Sequence, residues 1–111
     1  MNEADKKRFE EILYRIQKID GFVTGVPEDE FYRNELLKDA CHANLIVISE
    51  AIAKMSAEVR ESYQEISWKE IIGFRNLIVH EYFRINWITV WEVITGDLKN
   101  LEKSVQKILK V

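Results

Sequence analysis

The chain predicts an all-α fold, an antiparallel up-and-down bundle of four main helices with one short extra helix. Two observations carry this. Over four stretches the apolar residues recur at spacings of three and four, the period of a helix face, while no window alternates β-branched and polar residues as a strand does. Four glycines and one proline among 111 residues leave few interruptions. With 47% hydrophobic and 32% charged residues the chain can fill one core and cover it, which reads as a single domain over residues 1–111.

Each element follows from its local pattern. Phe9, Ile12, Leu13, Ile16 and Ile19 lay one stripe along a first helix of about residues 3 to 19. The stretch DGFVTGVP ends it: Gly21 and Gly25 suit a stop and turn, and Pro27 suits the first turn of the next helix, where its missing N–H is not needed. A long second helix is predicted from about 28 to 55. Phe31, Leu37, Cys41, Leu45, Ile48, Ile52 and Met55 form one face, and Leu36, Ala40, Ala43, Val47 and Ala51 widen it. Ser56 stands as an N-cap for the short segment AEVRESY. Ser67 and Glu70 form a capping box, and Ile66 and Ile71 a hydrophobic staple, which together place a helix start near 68. Asn86 caps the last helix, where Trp87, Trp91, Ile94, Leu98, Leu101, Val105 and Ile108 make a sustained seam. Gly96 within that seam marks either a bend or a close helix approach.

Charge and cysteine usage narrow the function classes. Sixteen basic and 19 acidic side chains give a net charge of −3, so no general positive field draws the protein to nucleic acid or anionic lipid, and any RNA site is local. Cys41 is the single cysteine, which excludes an internal disulfide and the paired spacing of zinc sites, and fits a reducing cytoplasm. The charged N-terminus lacks a signal-peptide segment, and Ser49 and Glu50 interrupt the longest apolar tract, so neither export nor a membrane span is expected.

The chemistry concentrates in GFRNLIVHEYF, residues 73–83, where Arg75, Asn76, His80 and Tyr82 stand among apolar neighbours. At about 100° per residue, Asn76 and His80 share a face and Arg75 and Tyr82 lie almost in line. Arg75 and His80 point about 140° apart on an ideal helix. Their convergence requires the helix to end or distort between Val79 and Phe83, the arginine to reach round, or a second subunit to supply the partner.

This Arg75-Asn76-x-x-x-His80-x-Tyr82 pattern resembles the R-x4-6-H motif of the HEPN superfamily, and most closely its HepT branch, with R-x4-H-x-Y. The resemblance spans almost the whole chain, through DACHANLIVISEAIAKMSAEVR, ISWKEIIGFRNLIVHEYFRIN and WEVITGDLKNLEKSVQKIL. One departure is Ser49-Glu50-Ala51 where the family usually has Gly-Glu-Ala, which puts a hydroxyl in a tight helix contact. The resemblance implies a HEPN-like bundle and a dimeric, metal-independent, cofactor-free endoribonuclease, the toxin of a type VII toxin–antitoxin pair. Its substrate would be an RNA, tRNA or mRNA, and its antitoxin an MNT-type nucleotidyltransferase that transfers AMP to Tyr82.

The residue chemistry agrees. RNA carries its own nucleophile, the 2′-hydroxyl, and a base that removes its proton lets it attack the adjacent phosphate. Histidine takes and returns that proton near neutral pH, which makes His80 the general base or acid. The Arg75 fork suits a phosphate clamp, and Asn76 orients the histidine or the substrate. An AMP on Tyr82 adds negative charge and bulk beside the place where RNA phosphate sits.

Bland readings stand for the other candidates. His42, near Cys41 and Asn44, reads as a hydrogen-bonded structural residue. Glu50 reads as structural, paired with Arg75 or with a lysine. Trp68, Trp87 and Trp91 read as core or dimer contacts rather than base-stacking platforms. Apolar stripes on all four main helices lean toward a homodimer. The competing function is a non-catalytic helical partner subunit of a nucleotidyltransferase, binding nucleotide or substrate.

Overall fold

The structure, a computed structural model, describes residues 1–79 and 82–111. Among the described residues the order is α1 (Glu3–Val23), α2 (Glu28–Arg33), α3 (Glu35–Ala53), α4 (Ala57–Ser62), α5 (Trp68–Val79), a 3₁₀ turn (Tyr82–Arg84), α6 (Trp87–Glu92), a π-helical turn (Val93–Asp97) and α7 (Leu98–Leu109). No strand occurs among them. The bundle is built around α3, which packs against α1 on one side and α5 on the other, while α7 lies along α1.

Helix α1 buries the predicted stripe, Phe9, Ile12, Ile16 and Ile19, and its start is capped by Asn2, whose side chain accepts from the Asp5 N–H at 2.7 Å. It runs past Gly21 to Val23. The stop comes at Thr24, whose N–H and hydroxyl both bond the Asp20 carbonyl, followed by Gly25 at φ +78°, a left-handed turn that glycine adopts without strain.

The long second helix is two helices. Asn34 leaves helical geometry at φ −100°, ψ 95°, and its side chain accepts from the Leu37 N–H at 2.9 Å, so it caps α3 and separates it from α2. Asparagine gains more at a cap than inside a helix, because its short side chain competes for backbone N–H groups. The break puts Leu36 in the first turn of α3 and 81% exposed, outside the face assigned to it, while Cys41, Leu45, Ile48 and Ile52 are buried as expected. Phe31 of α2 is fully buried, with Trp91 at 4.9 Å and Trp87 at 6.1 Å between ring centroids. These tryptophans are half-buried and packed on the core, as is Trp68, whose indole N–H donates to the Tyr63 carbonyl.

The caps at Ser56 and Asn86 form as predicted, accepting from Val59 and from Ile88 and Thr89 respectively. Gly96 sits inside the π-helical turn, and a Cβ added there would meet nothing within 4 Å, so it marks a change of helix type rather than a close approach. Ser49 is 1% exposed and donates to the Ile46 carbonyl at 3.1 Å, which satisfies its hydroxyl inside the helix. No described helix is long and apolar enough to cross a membrane.

One buried carboxylate ties the two ends of this framework. Asp5 is fully buried, and accepts from the Ser56 hydroxyl at 2.7 Å, the Ser56 N–H at 3.2 Å and Arg8 at 3.0 Å. Burial alone pushes its pKa up, but the Ser56 and Arg8 bonds outweigh burial and hold it below the usual carboxylate value. A depressed native pKa adds stability that is present above the unfolded value of about 3.9 and is lost as pH falls through the native one. Asp5→Asn is therefore expected to lower unfolding free energy by about 1–3 kcal/mol at pH 7. In denaturant titrations the gap to wild type should close as pH falls below the ordinary carboxylate range.

Candidate functional site

Helix α5 positions Arg75 and Asn76 in its last two turns, and the chain re-emerges as the 3₁₀ turn at Tyr82. The last described residue of α5 is Val79 and the 3₁₀ turn begins at Tyr82; the expected end or distortion of the helix between Val79 and Phe83 falls partly on residues outside the described ones. His80, the expected proton carrier, and Glu81 lie outside the described residues.

Arg75 is held lightly. Its Nη2 is 3.9 Å from Glu50 Oε1, with side chains 35% and 42% exposed, a pair worth about 0–1 kcal/mol. Its Nη1 reaches Asn76 Oδ1 at 3.4 Å, longer than a good N–H···O bond. Its Nε is buried and has no hydrogen-bond partner among the described residues. A guanidinium has five N–H donors, and with Nε buried only the two Nη groups are left for an incoming anion. Glu50, read from sequence as structural, does face Arg75, but half-exposed on α3 rather than sealed in the core.

Tyr82 turns away from that guanidinium. Its hydroxyl donates to Asp39 Oδ1 on α3, and its ring lies edge-on to His42 at 5.2 Å and Trp87 at 5.7 Å. The bond to Asp39, then burial, then the charges of Asp39 and Glu35 push the phenol up to about 12. The residue remains 41% exposed. Arg75 contacts α3 at Glu50 and Tyr82 contacts it at Asp39; the two points are eleven residues apart, about 16 Å of helix. On an ideal continuous helix the two would have lain in line.

His42 takes the structural role expected of it. Its Nε2 lies 2.7 Å from the Ile78 carbonyl, which can only accept, so Nε2 carries the hydrogen and the ring donates across to the end of α5. Asp39 was not singled out from sequence, because its partner is 43 residues away. The visible signal was only the pair Asp39 and His42, three apart and so on one face of α3.

A cleft of about 180 Å³ lies elsewhere, between α3, α5 and α7. Glu65, Glu70 and Asp97 stand among its lining residues with no arginine or lysine, so it repels a phosphodiester. Among the described residues no three His, Cys, Asp or Glu side chains are grouped to hold a metal ion.

Comparison with known proteins adds an independent line. The family model for ribonuclease HepT-like proteins matches residues 12–108. A Caldanaerobacter subterraneus subsp. tengcongensis protein named "Putative RNase" is 35% identical over 101 residues, covering 91% of this chain and 90% of its own. A Methanocaldococcus jannaschii protein of the same name is 34% identical over 111 residues, covering 99% and 92%. The "Probable ribonuclease HepT" of Thermococcus cleftensis is 24% identical over 110 residues, covering 99% and 100%. No solved structure matches.

Two outcomes follow from the site geometry. Arg75→Ala is expected to change unfolding free energy by less than about 1 kcal/mol, measured by thermal melts, since its contacts are long and solvated. In an alkaline titration followed by ring-¹³C NMR, Asp39→Asn is expected to bring Tyr82 down from about 12 toward 10, while Tyr32, raised to about 12 chiefly by its bond to Glu28, stays in place.

Proposed function

Because this chain belongs to the ribonuclease HepT-like family, we propose that it is a metal-independent endoribonuclease cutting RNA with Arg75 and His80, the toxin of a type VII toxin–antitoxin pair. It acts as one helical domain in the cytoplasm. The observation that carries the reading is the state of Arg75: a guanidinium on the motif helix, reachable from solvent, with no close ion pair among the described residues. A phosphate takes such a fork by two parallel N–H···O bonds, and the same bonds strengthen as charge builds on the equatorial oxygens during attack.

The steps are those of intramolecular transesterification. His80 removes the proton of the ribose 2′-hydroxyl, whose oxygen attacks the adjacent phosphorus, and the 5′-oxygen of the next nucleotide leaves with a proton from a general acid. Arg75 offsets the charge of the pentacoordinate state, and Asn76 orients the histidine or the substrate. A homodimer brings two such motifs together across a cleft, which supplies the paired acid and base and doubles the local positive charge. Supporting this, Leu36, Leu77, Phe83 and Ile88, at or near the motif end of the bundle, are 56 to 90% exposed, more apolar surface than a lone bundle leaves in water.

The antitoxin in this reading is an MNT-type nucleotidyltransferase that transfers AMP to Tyr82. The exposure of Tyr82, 41% for the residue, supports it, since the attacking group must be approached from solvent.

Purified wild-type protein is expected to cleave RNA in EDTA. His80→Ala should lower kcat by roughly 10²–10⁴-fold and Arg75→Ala by roughly 10²–10³-fold, with circular dichroism unchanged. Equal cleavage by all three proteins would leave the chain a non-catalytic partner of the nucleotidyltransferase.

A further inference from the structure

The charge of this chain is unevenly placed. Residues 98–111 carry four lysines against one glutamate, a net +3, in a chain whose net charge is −3, so residues 1–97 hold −6. Lys99, Lys103, Lys107 and Lys110 stand four, four and three apart, all exposed, on the side of α7 away from its buried Leu98, Leu101 and Val105. Lys99 pairs with Asp20 at 3.0 Å. The side chains of Lys103, Lys107 and Lys110 have no ion pair or hydrogen bond among the described residues. Like charges three and four apart on a helix repel, and the helix dipole favours cations only at the C-terminal end, so the fold itself gives no reason for the row as a whole.

The row starts at the motif end of the bundle. Arg15 donates to Asn44 at 3.1 Å and Ser56 donates to Asp5 at 2.7 Å, so α1 runs antiparallel to α3. The C-terminal end of α1 therefore lies with the N-terminal end of α3, where Asp39 meets Tyr82. The Lys99–Asp20 pair puts the first lysine at that end, and the other three follow over about 16 Å of helix. On α1, which packs along α7, Tyr14 is 53% exposed, with the Arg15 guanidinium 5.7 Å and the Lys18 ammonium 5.5 Å from its ring centre.

We infer that the outer face of α7, together with Tyr14 of α1, is an RNA-docking surface that holds the substrate strand outside the cleavage site. The inference rests on the ribonuclease reading, which identifies the polyanion as RNA. Lysine is a point charge on a flexible stem, suited to the phosphate backbone and indifferent to sequence. An outward-facing aromatic ring flanked by cations takes a base by stacking. An anionic membrane surface would also attract the lysines, but helices that lie on lipid sink an apolar face into it, and the apolar face of α7 is buried in the core.

Binding of a short, labelled, single-stranded 2′-O-methyl RNA, which lacks the attacking hydroxyl and stays intact, is followed by fluorescence anisotropy over a series of salt concentrations. The full chain is compared as wild type, Lys103→Gln/Lys107→Gln, Tyr14→Ala and Lys54→Gln/Lys69→Gln, the last removing the same charge from exposed positions elsewhere. Each lysine–phosphate contact contributes about 0.7 to the slope of log affinity against log salt on a single strand. The α7 double should therefore lower that slope by about 1.4 and weaken binding roughly tenfold at low salt. Tyr14→Ala should weaken binding about fivefold or more with the slope unchanged, since stacking releases no counterions. The Lys54/Lys69 double should keep the slope and stay within about twofold in affinity. With cleavable RNA in EDTA, the α7 double should raise KM and leave kcat within about twofold, because neither lysine takes part in bond breaking. Unchanged affinity and slope in the α7 double, an equal loss in the Lys54/Lys69 double, full affinity in Tyr14→Ala, or a fall in kcat at unchanged KM would each overturn the docking surface. So would wild type that binds no RNA and sediments with phosphatidylserine vesicles through these lysines. Should wild type bind RNA on this face and cut none, the ribonuclease reading fails and the docking surface stands.

Discussion

How α5 is fastened to α3 governs the rest of the molecule's business end. Helix α3 buries Cys41, Leu45, Ile48 and Ile52 along with Asn44 and Ser49, so it is enclosed and cannot shift without opening the core. Helix α5 buries only Ile78; its other core-facing residues, Ile71, Ile72 and Phe74, are half-covered. A helix laid on a surface in this way is steered by its polar contacts, because apolar burial is nondirectional while hydrogen bonds fix a geometry. The His42 bond to the Ile78 carbonyl does that steering, and it takes up one of the carbonyls a helix end leaves without a partner.

The molecule treats its charged groups in two opposite ways. Asp5, far from the motif, is buried with three close donors and serves the fold. Arg75, at the motif, has contacts of 3.4 and 3.9 Å and a buried Nε with no partner among the described residues. An arginine locked into a close bidentate pair would have to surrender that pair to bind phosphate, and the lost bonds would be subtracted from the binding energy. In the proposed reading the Nη groups of Arg75 are kept for a phosphate, whereas both oxygens of Asp5 are committed to the fold.

What the sequence discloses follows the range of each interaction. Caps at Ser56 and Asn86 and the apolar stripe of α1 are local, within three or four residues, and were legible. Asn34 was legible in principle, an asparagine followed by a glutamate at the head of an apolar run, but the continuous stripe from Phe31 to Met55 hid the break. The π-helical turn left only Gly96 as a trace. At the site, Arg75, Asn76 and Tyr82 were found as a motif, yet their relative placement was not, since ideal helical geometry aligned Arg75 with Tyr82. The contacts that part them, Tyr82 to Asp39 and His42 to Ile78, join residues 43 and 36 positions apart, and no local pattern encodes them.

Polar and apolar contacts divide the work at the end of α5. The Tyr82 ring lies edge-on to His42 and Trp87, and such apolar contacts depend on area more than on direction. Its hydroxyl bond to Asp39, like the bond of the Ile78 carbonyl to His42, fixes a direction as well as a distance. Asp39 and His42 are three apart, so both bonds are made from one face of α3. Ile78 and Tyr82 are thereby tied by polar bonds to the helix that also packs against α1, and the end of α5 takes its orientation from that helix rather than from its own slight burial.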